Sequence, residues 1–91
     1  MDNNTEYEEI SNQWLLENSK LIRSFKFKNF IITFNFMNEI ALVAEEINHH
    51  PTWTNSYNQL KITLWTHDTN SLSKLDYLLA KRIDKLYEKF K

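Results

Sequence analysis

The sequence predicts an α+β domain in which helices pack on one face of a four-stranded antiparallel sheet. Three observations support this class. Short segments alternate apolar and polar residues as half-buried strands do, and longer segments repeat apolar residues every three or four positions as helices do. A chain of 91 residues has room for one domain only, residues 1–91. The predicted order is helix, two strands, helix, two strands, helix (α-β-β-α-β-β-α).

The first three elements lie before residue 28. The stretch TEYEEISNQW opens with Thr5 and Glu8, a possible capping box, and reads as a short helix. The segment LIRSFKF places Leu21, Phe25 and Phe27 on one face of an alternating pattern, which is typical of a strand. We expect this strand to form a hairpin with the extended segment at Trp14.

The central helix is predicted to begin after Asn29, a good N-cap residue, and to run into the histidines. It ends there because the residue before Pro51 is disfavoured in helical geometry. Its expected buried stripe consists of Phe30, Phe34, Met37, Ile40, Ala41, Ala44 and Ile47. The aromatic residues Phe25, Phe27, Phe30, Phe34 and Phe36 are expected in the core.

Two strands and a helix complete the chain. In QLKITLWTH the aliphatic residues Leu60, Ile62 and Leu64 share one face, so Trp65 and His67 project from the other. The final helix begins with a capping-box pattern at Ser73 and Asp76. Its apolar stripe is Leu75, Leu78, Leu79, Ile83, Leu86, Tyr87 and Phe90.

Without glycine, the turns need residues that tolerate a left-handed backbone, and asparagine is the best substitute. Asn18, Asn48, Asn55 and Asn70 all fall in segments that read as turns.

Composition excludes several function classes. The chain has no Gly and no Cys, so phosphate-binding glycine loops, thiolate zinc sites and disulfides are absent. Its formal net charge is −1, with acidic and basic residues mixed, so we expect no nucleic-acid partner. The apolar runs fall far short of the ~20 residues that cross a bilayer, so we expect no membrane association. The lack of Cys and of a secretory signal is typical of a cytoplasmic protein.

The three histidines of the chain are the strongest candidates for chemistry, because histidine exchanges protons near neutral pH. His49 and His50 lie in a helix-to-strand loop and His67 at a strand end, so they can share a pocket or simply be solvated. Trp53 offers a flat wall for an aromatic ligand, and Glu45 and Asp68 are placed to orient rings. A three-histidine zinc site is disfavoured, because no spacing presents two rings from one regular element, and we expect no metal.

These residues form a pattern that resembles a known family. Ala44-Glu45 is followed, after three residues, by His49-His50-Pro51-Thr52-Trp53, and later by Tyr57-Asn58 and by Thr66-His67-Asp68. This pattern is similar to that of the pterin-4a-carbinolamine dehydratases, and the match covers roughly residues 14–90 without a gap. The chain departs from the family at Asn70-Ser71-Leu72-Ser73, where many members are rich in glycine, so that loop is expected to be reshaped.

The resemblance implies the same antiparallel sheet with helices on one side. It also implies an enzyme that dehydrates 4a-hydroxytetrahydrobiopterin to quinonoid dihydrobiopterin, in the recycling of tetrahydrobiopterin, without metal or cofactor. His49, His50 and His67 would be catalytic; Glu45, Pro51, Trp53, Thr66 and Asp68 would line the pterin site. A homo-oligomer, dimer or tetramer, is implied, and unpaired sheet edges also favour it. The alternative is a non-catalytic pterin-binding or protein-interaction module on the same fold, like the relatives that act as dimerisation cofactors.

Overall fold

The structure is a computed structural model that describes residues 10–91. Its elements are β1 (Leu15–Glu17), β2 (Lys20–Lys26), α1 (Phe30–Ile47), β3 (Thr52–Ser56), β4 (Gln59–Leu64) and α2 (Lys74–Tyr87). The predicted α+β class and antiparallel sheet are confirmed, with the order β-β-α-β-β-α in the described residues. The helix predicted over residues 5–14 falls mostly outside them, and its described part, residues 10–14, is a bend and a turn instead of a helix.

The four strands form one sheet in the order β1-β2-β4-β3, with every neighbouring pair antiparallel. The two central strands therefore come from different hairpins. Leu21 lies opposite Leu64, and Phe25 lies opposite Leu60. This register aligns the apolar positions of the two strands on a single face, which is the face that packs against the helices.

The predicted alternation along β4 is confirmed. Leu60, Ile62 and Leu64 are at most 1% exposed, whereas Lys61 between them is exposed. From the helices, the core receives Phe36, Ile40, Val43, Ala44, Leu79, Ala80 and Ile83. Both helices therefore lie on the face of the sheet that β4 buries.

The predicted buried face of α1 was partly wrong. The helix begins as expected, because the Asn29 side chain accepts a hydrogen bond of 2.9 Å from the Ile32 amide. Phe30 and Phe34, however, are 42% and 47% exposed and stack on each other instead of entering the core. The residues that α1 buries are Thr33, Phe36, Ile40, Val43 and Ala44. Because α1 is apolar around much of its circumference, a three-to-four-residue spacing of apolar side chains can be drawn on more than one face. Packing against the sheet determines which face is buried.

The stripe predicted for α2 was also partly wrong. Leu79 and Ile83 are buried, whereas Leu75 and Leu78 are each 39% exposed. The C-terminal part of the stripe stays close to the core, since Leu86 and Tyr87 are half-buried against it.

The backbone has positive φ at Asn18, Ser19, Asn48, Tyr57 and Asn70. Three of the four asparagines predicted in turns therefore have left-handed geometry. Asn55 lies within β3 instead, and its amide donates to the carbonyls of Tyr57 (3.1 Å) and Gln59 (2.9 Å). It stabilises the hairpin turn from a neighbouring position, while Tyr57 has the unfavourable φ.

A polar network around Asp84 connects the segment before β1 to α2. Asp84 accepts hydrogen bonds of 2.7 Å from the Arg23 guanidinium, the Trp14 indole and the Ser11 amide. Arg23 is 9% exposed and lies against the ring of Phe25, 4.5 Å from its centroid. The buried Arg23 guanidinium is thus neutralised by Asp84, on the helix that covers it.

Candidate active site

The end of α1 sets the position of the first two histidines. Asn48 caps the helix with a left-handed backbone (φ 54°), and the His49 amide donates to the Ala44 carbonyl at 3.0 Å. This type of ending satisfies the last carbonyls of a helix and turns the chain away from its axis. His49 and His50 therefore follow α1 directly, and Pro51 leads into β3.

His49 is held by a buried carboxylate. Its Nε2 atom lies 2.6 Å from Oδ1 of Asp76, and the two side chains are 12% and 0% exposed. The other oxygen of Asp76 accepts hydrogen bonds from the Thr66 hydroxyl (2.8 Å) and the Ser73 amide (3.0 Å). Because an ionised carboxylate only accepts, this arrangement favours the tautomer with a proton on Nε2 and leaves Nδ1 outside the Asp76 contact.

His50 also has a carboxylate partner, but in solvent. Its Nε2 atom lies 2.6 Å from Oε2 of Glu45, in the last turn of α1, and the side chains are 55% and 77% exposed. Water screens such a pair strongly. The interaction free energy of Glu45 with His50 is therefore much smaller than that of Asp76 with His49.

His67 is held differently. Its ring stacks on the indole of Trp65, with centroids 4.5 Å apart and an angle of 8° between the planes. Within residues 10–91, the His67 ring makes no hydrogen bond. The loop that carries His67 is closed by paired backbone hydrogen bonds between Thr66 and Ser71, and Asn70 turns it with a left-handed backbone.

The three histidines surround one cavity of about 420 Å³. The residues that line it are Asn48, His49, His50, Trp65, Thr66, His67, Asp68 and Leu75. A volume of this size suits a small organic molecule. The cavity thus brings together three imidazole rings, one aromatic wall (Trp65) and one exposed carboxylate (Asp68). Each imidazole can exchange protons near neutral pH.

The other residues predicted to bind a ligand have different positions. Thr66 and Asp68 line the cavity, and Glu45 is linked to it through His50. Pro51 and Trp53 are not among the lining residues. Trp53 is paired with Ile62 in the sheet and packs, half-buried, against the core.

The sequence reasoning missed four residues of the site: Asn48, Trp65 and Leu75, which line the cavity, and Asp76, which holds His49. Asp76 was assigned only a helix-capping role, and 27 positions separate it from His49, so no local pattern indicates their contact. Trp65 and His67 were predicted on the non-core side of a strand that reaches His67, but β4 ends at Leu64, so Trp65 follows the strand and His67 lies in a turn. The predicted shared side was the available signal for their proximity, because residues two apart in an extended chain lie on the same face.

Across residues 10–91, no three histidine, aspartate or glutamate side chains are grouped so that they can hold a metal ion. Neither α1 nor α2 is both long enough and apolar enough to cross a membrane.

Comparison with known proteins gives consistent results. The family model described as "Pterin 4 alpha carbinolamine dehydratase" matches residues 2–86. A "putative pterin-4-alpha-carbinolamine dehydratase" of Prochlorococcus marinus (strain NATL2A) is 48% identical over 73 residues, 80% of this chain and 77% of that protein. One of Synechococcus sp. (strain WH7803) is 46% identical over 85 residues, 90% of this chain and 91% of that protein.

Two solved structures have the same fold. A transcriptional coactivator/pterin dehydratase from Brucella melitensis superposes with a TM-score of 0.83 at 36% identity, covering 91% of this chain and 89% of that one. A pterin dehydratase-like protein, identified as a RuBisCO assembly factor in the alpha-carboxysome, gives a TM-score of 0.67 at 21% identity, covering 89% of this chain and 92% of that one. The second likeness concerns the fold alone.

Proposed function

This chain belongs to the pterin-4a-carbinolamine dehydratase family. We therefore propose that it is a hydro-lyase that dehydrates 4a-hydroxytetrahydrobiopterin to quinonoid dihydrobiopterin and water. The reaction would serve the recycling of tetrahydrobiopterin. The observation that carries the proposal is the cavity of about 420 Å³ surrounded by His49, His50 and His67.

The chemistry requires two proton transfers. The departing 4a-hydroxyl must be protonated, and the N5 proton must be removed as the C–O bond breaks. Positioned side chains that exchange protons near ambient pH typically contribute about 10²–10⁴-fold to such steps. Histidine has this property without special tuning. The proposed mechanism therefore needs no covalent nucleophile, metal or cofactor.

Asp76 has a supporting role in this proposal. When His49 takes up a proton, the ring becomes positively charged, and the carboxylate 2.6 Å away balances that charge. The contacts of Asp76 with Thr66 and Ser73 keep the carboxylate in place during the transfer. We propose Asp76 as a positioning residue and His49 as the group that exchanges the proton.

Direct substrate binding is proposed for Thr66 and Asp68, and supporting roles for Glu45, Pro51 and Trp53. The exposed carboxylate of Asp68 can accept hydrogen bonds from amino and ring N–H groups of a pterin. Thr66 lines the cavity beside it. Glu45 would act through His50, and Pro51 and Trp53 would support the loop and strand that follow the histidine pair.

The test is a rapid-mixing assay that follows formation of quinonoid dihydropterin with and without the protein. Alanine at His49, His50 or His67 should each slow the reaction by about tenfold or more, which is ~1.4 kcal/mol of barrier. Lys61→Ala, at an exposed position of β4 outside the cavity, is the matched control and should keep the rate. Equal rates with and without wild-type protein would refute the enzymatic proposal.

The same experiment separates the alternative function. Unrelated roles recur on one fold, so function must be argued from the site. A non-catalytic module would bind the pterin, seen as saturable quenching of tryptophan fluorescence, without accelerating its dehydration. The grouping of three histidines favours catalysis, because simple binding of a pterin does not require proton-exchanging groups.

We also propose that the chain forms a dimer or tetramer. β1 and β3 are the edges of the sheet, and an edge strand carries unpaired backbone groups that a second copy can pair. Exposed apolar side chains on α1, such as Ile31 at 66% and Leu42 at 70%, also favour self-association. Sedimentation at micromolar concentration should show a species larger than the monomer, and only monomer would contradict this.

A further inference from the structure

The three histidines differ in what holds their rings. His49 and His50 each have a carboxylate 2.6 Å from Nε2, whereas the ring of His67 makes no hydrogen bond within the described chain. We infer that Trp65 is the positioning residue of His67, holding the ring by stacking so that both of its nitrogens stay available for proton transfer. This inference rests on the proposed dehydratase function.

The geometry of the stack supports an orienting role. The ring planes are 8° from parallel and the centroids are 4.5 Å apart, a distance at which aromatic rings attract each other. His67 is exposed, in the loop after β4, where water would otherwise allow the ring several rotamers. Stacking restricts rotation about the side-chain bonds, but it occupies neither nitrogen.

Trp65 is itself held against the sheet. The Lys20 ammonium lies 4.2 Å from the centroid of the Trp65 ring, a favourable cation–π distance. Lys20 begins β2, and the pairing of Leu21 with Leu64 places it beside Trp65. The His67 ring is thus connected through the indole to β2, a central strand of the sheet.

A different role for Trp65 would be a wall on which the substrate stacks. The two roles predict different kinetics. A wall contributes to binding, so its loss raises KM, whereas a residue that positions a proton-exchanging group affects the chemical step, so its loss lowers kcat. Because the indole already contacts His67, we expect the change in kcat.

The kinetic test compares Trp65→Leu with Trp65→Phe. Trp65→Leu removes the aromatic surface and should lower kcat by about 10- to 100-fold, since misplacing a catalytic group by about 1 Å can cost that much. Trp65→Phe keeps an aromatic ring and should recover most of the loss. Phe34→Leu, which breaks the exposed stack of Phe30 and Phe34 on α1, is the matched control and should keep wild-type kcat.

A spectroscopic test is independent of activity. In the NMR spectrum, the carbon-bound ring protons of His67 should be displaced upfield by the Trp65 ring current. Trp65→Leu should abolish this displacement, and Phe34→Leu should not. Normal kcat in Trp65→Leu, or a raised KM alone, would overturn the inference, and so would an undisplaced His67 signal in the wild type. An inactive wild type with displaced signals would instead refute the dehydratase proposal, and the stack would stand without a catalytic role.

Discussion

Helix α2 carries two carboxylates whose burial and partners differ. Asp76 is fully buried and binds His49, whose charge can change, while Asp84 is 17% exposed and binds Arg23, whose charge cannot. Asp84 also accepts hydrogen bonds from Ser11 and Trp14, which are distant in sequence, whereas the further donors to Asp76 are the nearby Thr66 and Ser73. We therefore expect the Asp84 network to stabilise the fold, and we propose that the Asp76 network prepares His49 for proton exchange.

The largest expected effect is on stability at Asp84. Asp84→Ala leaves the Arg23 guanidinium buried without its counter-charge, and breaking a buried pair in this way typically costs about 3–5 kcal/mol. We expect urea unfolding to show a loss of that size. Activity per folded molecule should be unchanged, because Asp84 does not line the histidine cavity. A stability equal to that of the wild type would show that the Asp84 network does not stabilise the fold.

The two faces of the strand that leads to His67 should differ almost as much. Leu64→Ala creates a cavity in the core and should destabilise by roughly 2–5 kcal/mol. His67→Ala should change stability by only ~0.5 kcal/mol, as exposed substitutions do, while slowing dehydration. Thermal and urea unfolding of both variants measure the contrast. A His67→Ala protein that melts but keeps full activity per folded molecule would contradict both the catalytic role and the face assignment.

At Asp76 the main effect should be on rate. Asp76→Asn keeps the shape of the side chain but removes the charge that balances a protonated His49. We expect kcat per folded molecule to fall by about 10- to 100-fold, or ~1.4–2.7 kcal/mol of barrier. Asp84→Asn is the matched control, with the same chemical change on the same helix and no expected loss of rate.

Combining Asp76→Asn with His49→Ala extends this test. If Asp76 acts through His49, the double variant should be no slower than His49→Ala alone, because residues that act as a unit are not additive. Independent, multiplying effects of the two substitutions would mean that Asp76 does not work through His49.

A smaller effect is expected at the exposed pair. Glu45→Gln removes the charge beside His50, but exposed ion pairs are typically worth only ~0–1 kcal/mol. Rate and unfolding free energy should each change by no more than that. The comparison with Asp76→Asn isolates the effect of burial, since both carboxylates lie 2.6 Å from a histidine nitrogen. A loss of rate at Glu45 as large as that at Asp76 would show that burial is not the deciding difference.

No effect is expected from removing metal ions. Dialysis against a strong chelator should leave the dehydration rate unchanged, because the proposed proton transfers need only the three histidines. A loss of activity that zinc restores would contradict this expectation and would indicate a metal site at His49, His50 and His67.

Much of the fold was predictable from local patterns. The alternation in β4 assigned Leu60, Ile62 and Leu64 to the core, and Asn29 marked the start of α1. The buried face of α1 was not predictable in the same way, because Phe30 and Phe34 fit the helical spacing as well as Phe36 and Ile40 do. Only the rotation of α1 about its axis, as it packs against the sheet, decides which of these two pairs is buried.

The candidate site was likewise predictable only in part. Its histidines and the pattern around them were recognisable in the sequence alone, because adjacent His49 and His50 before Pro51 form a local signal. The contact of His49 with Asp76 was not, since it depends on α2 packing so that its first turn reaches the end of α1.

The sequence alone determined the periods of the strands, the start of α1 and the residue types available for proton exchange, because these depend on neighbours a few positions away. The tertiary structure decided which face of α1 is buried, which carboxylate supports His49 and which ring supports His67. The first two of these depend on groups brought together from distant parts of the chain by packing. The stack of Trp65 on His67 is local in sequence, but Lys20, from another strand, contacts its indole, and that contact exists only once β2 and β4 are paired.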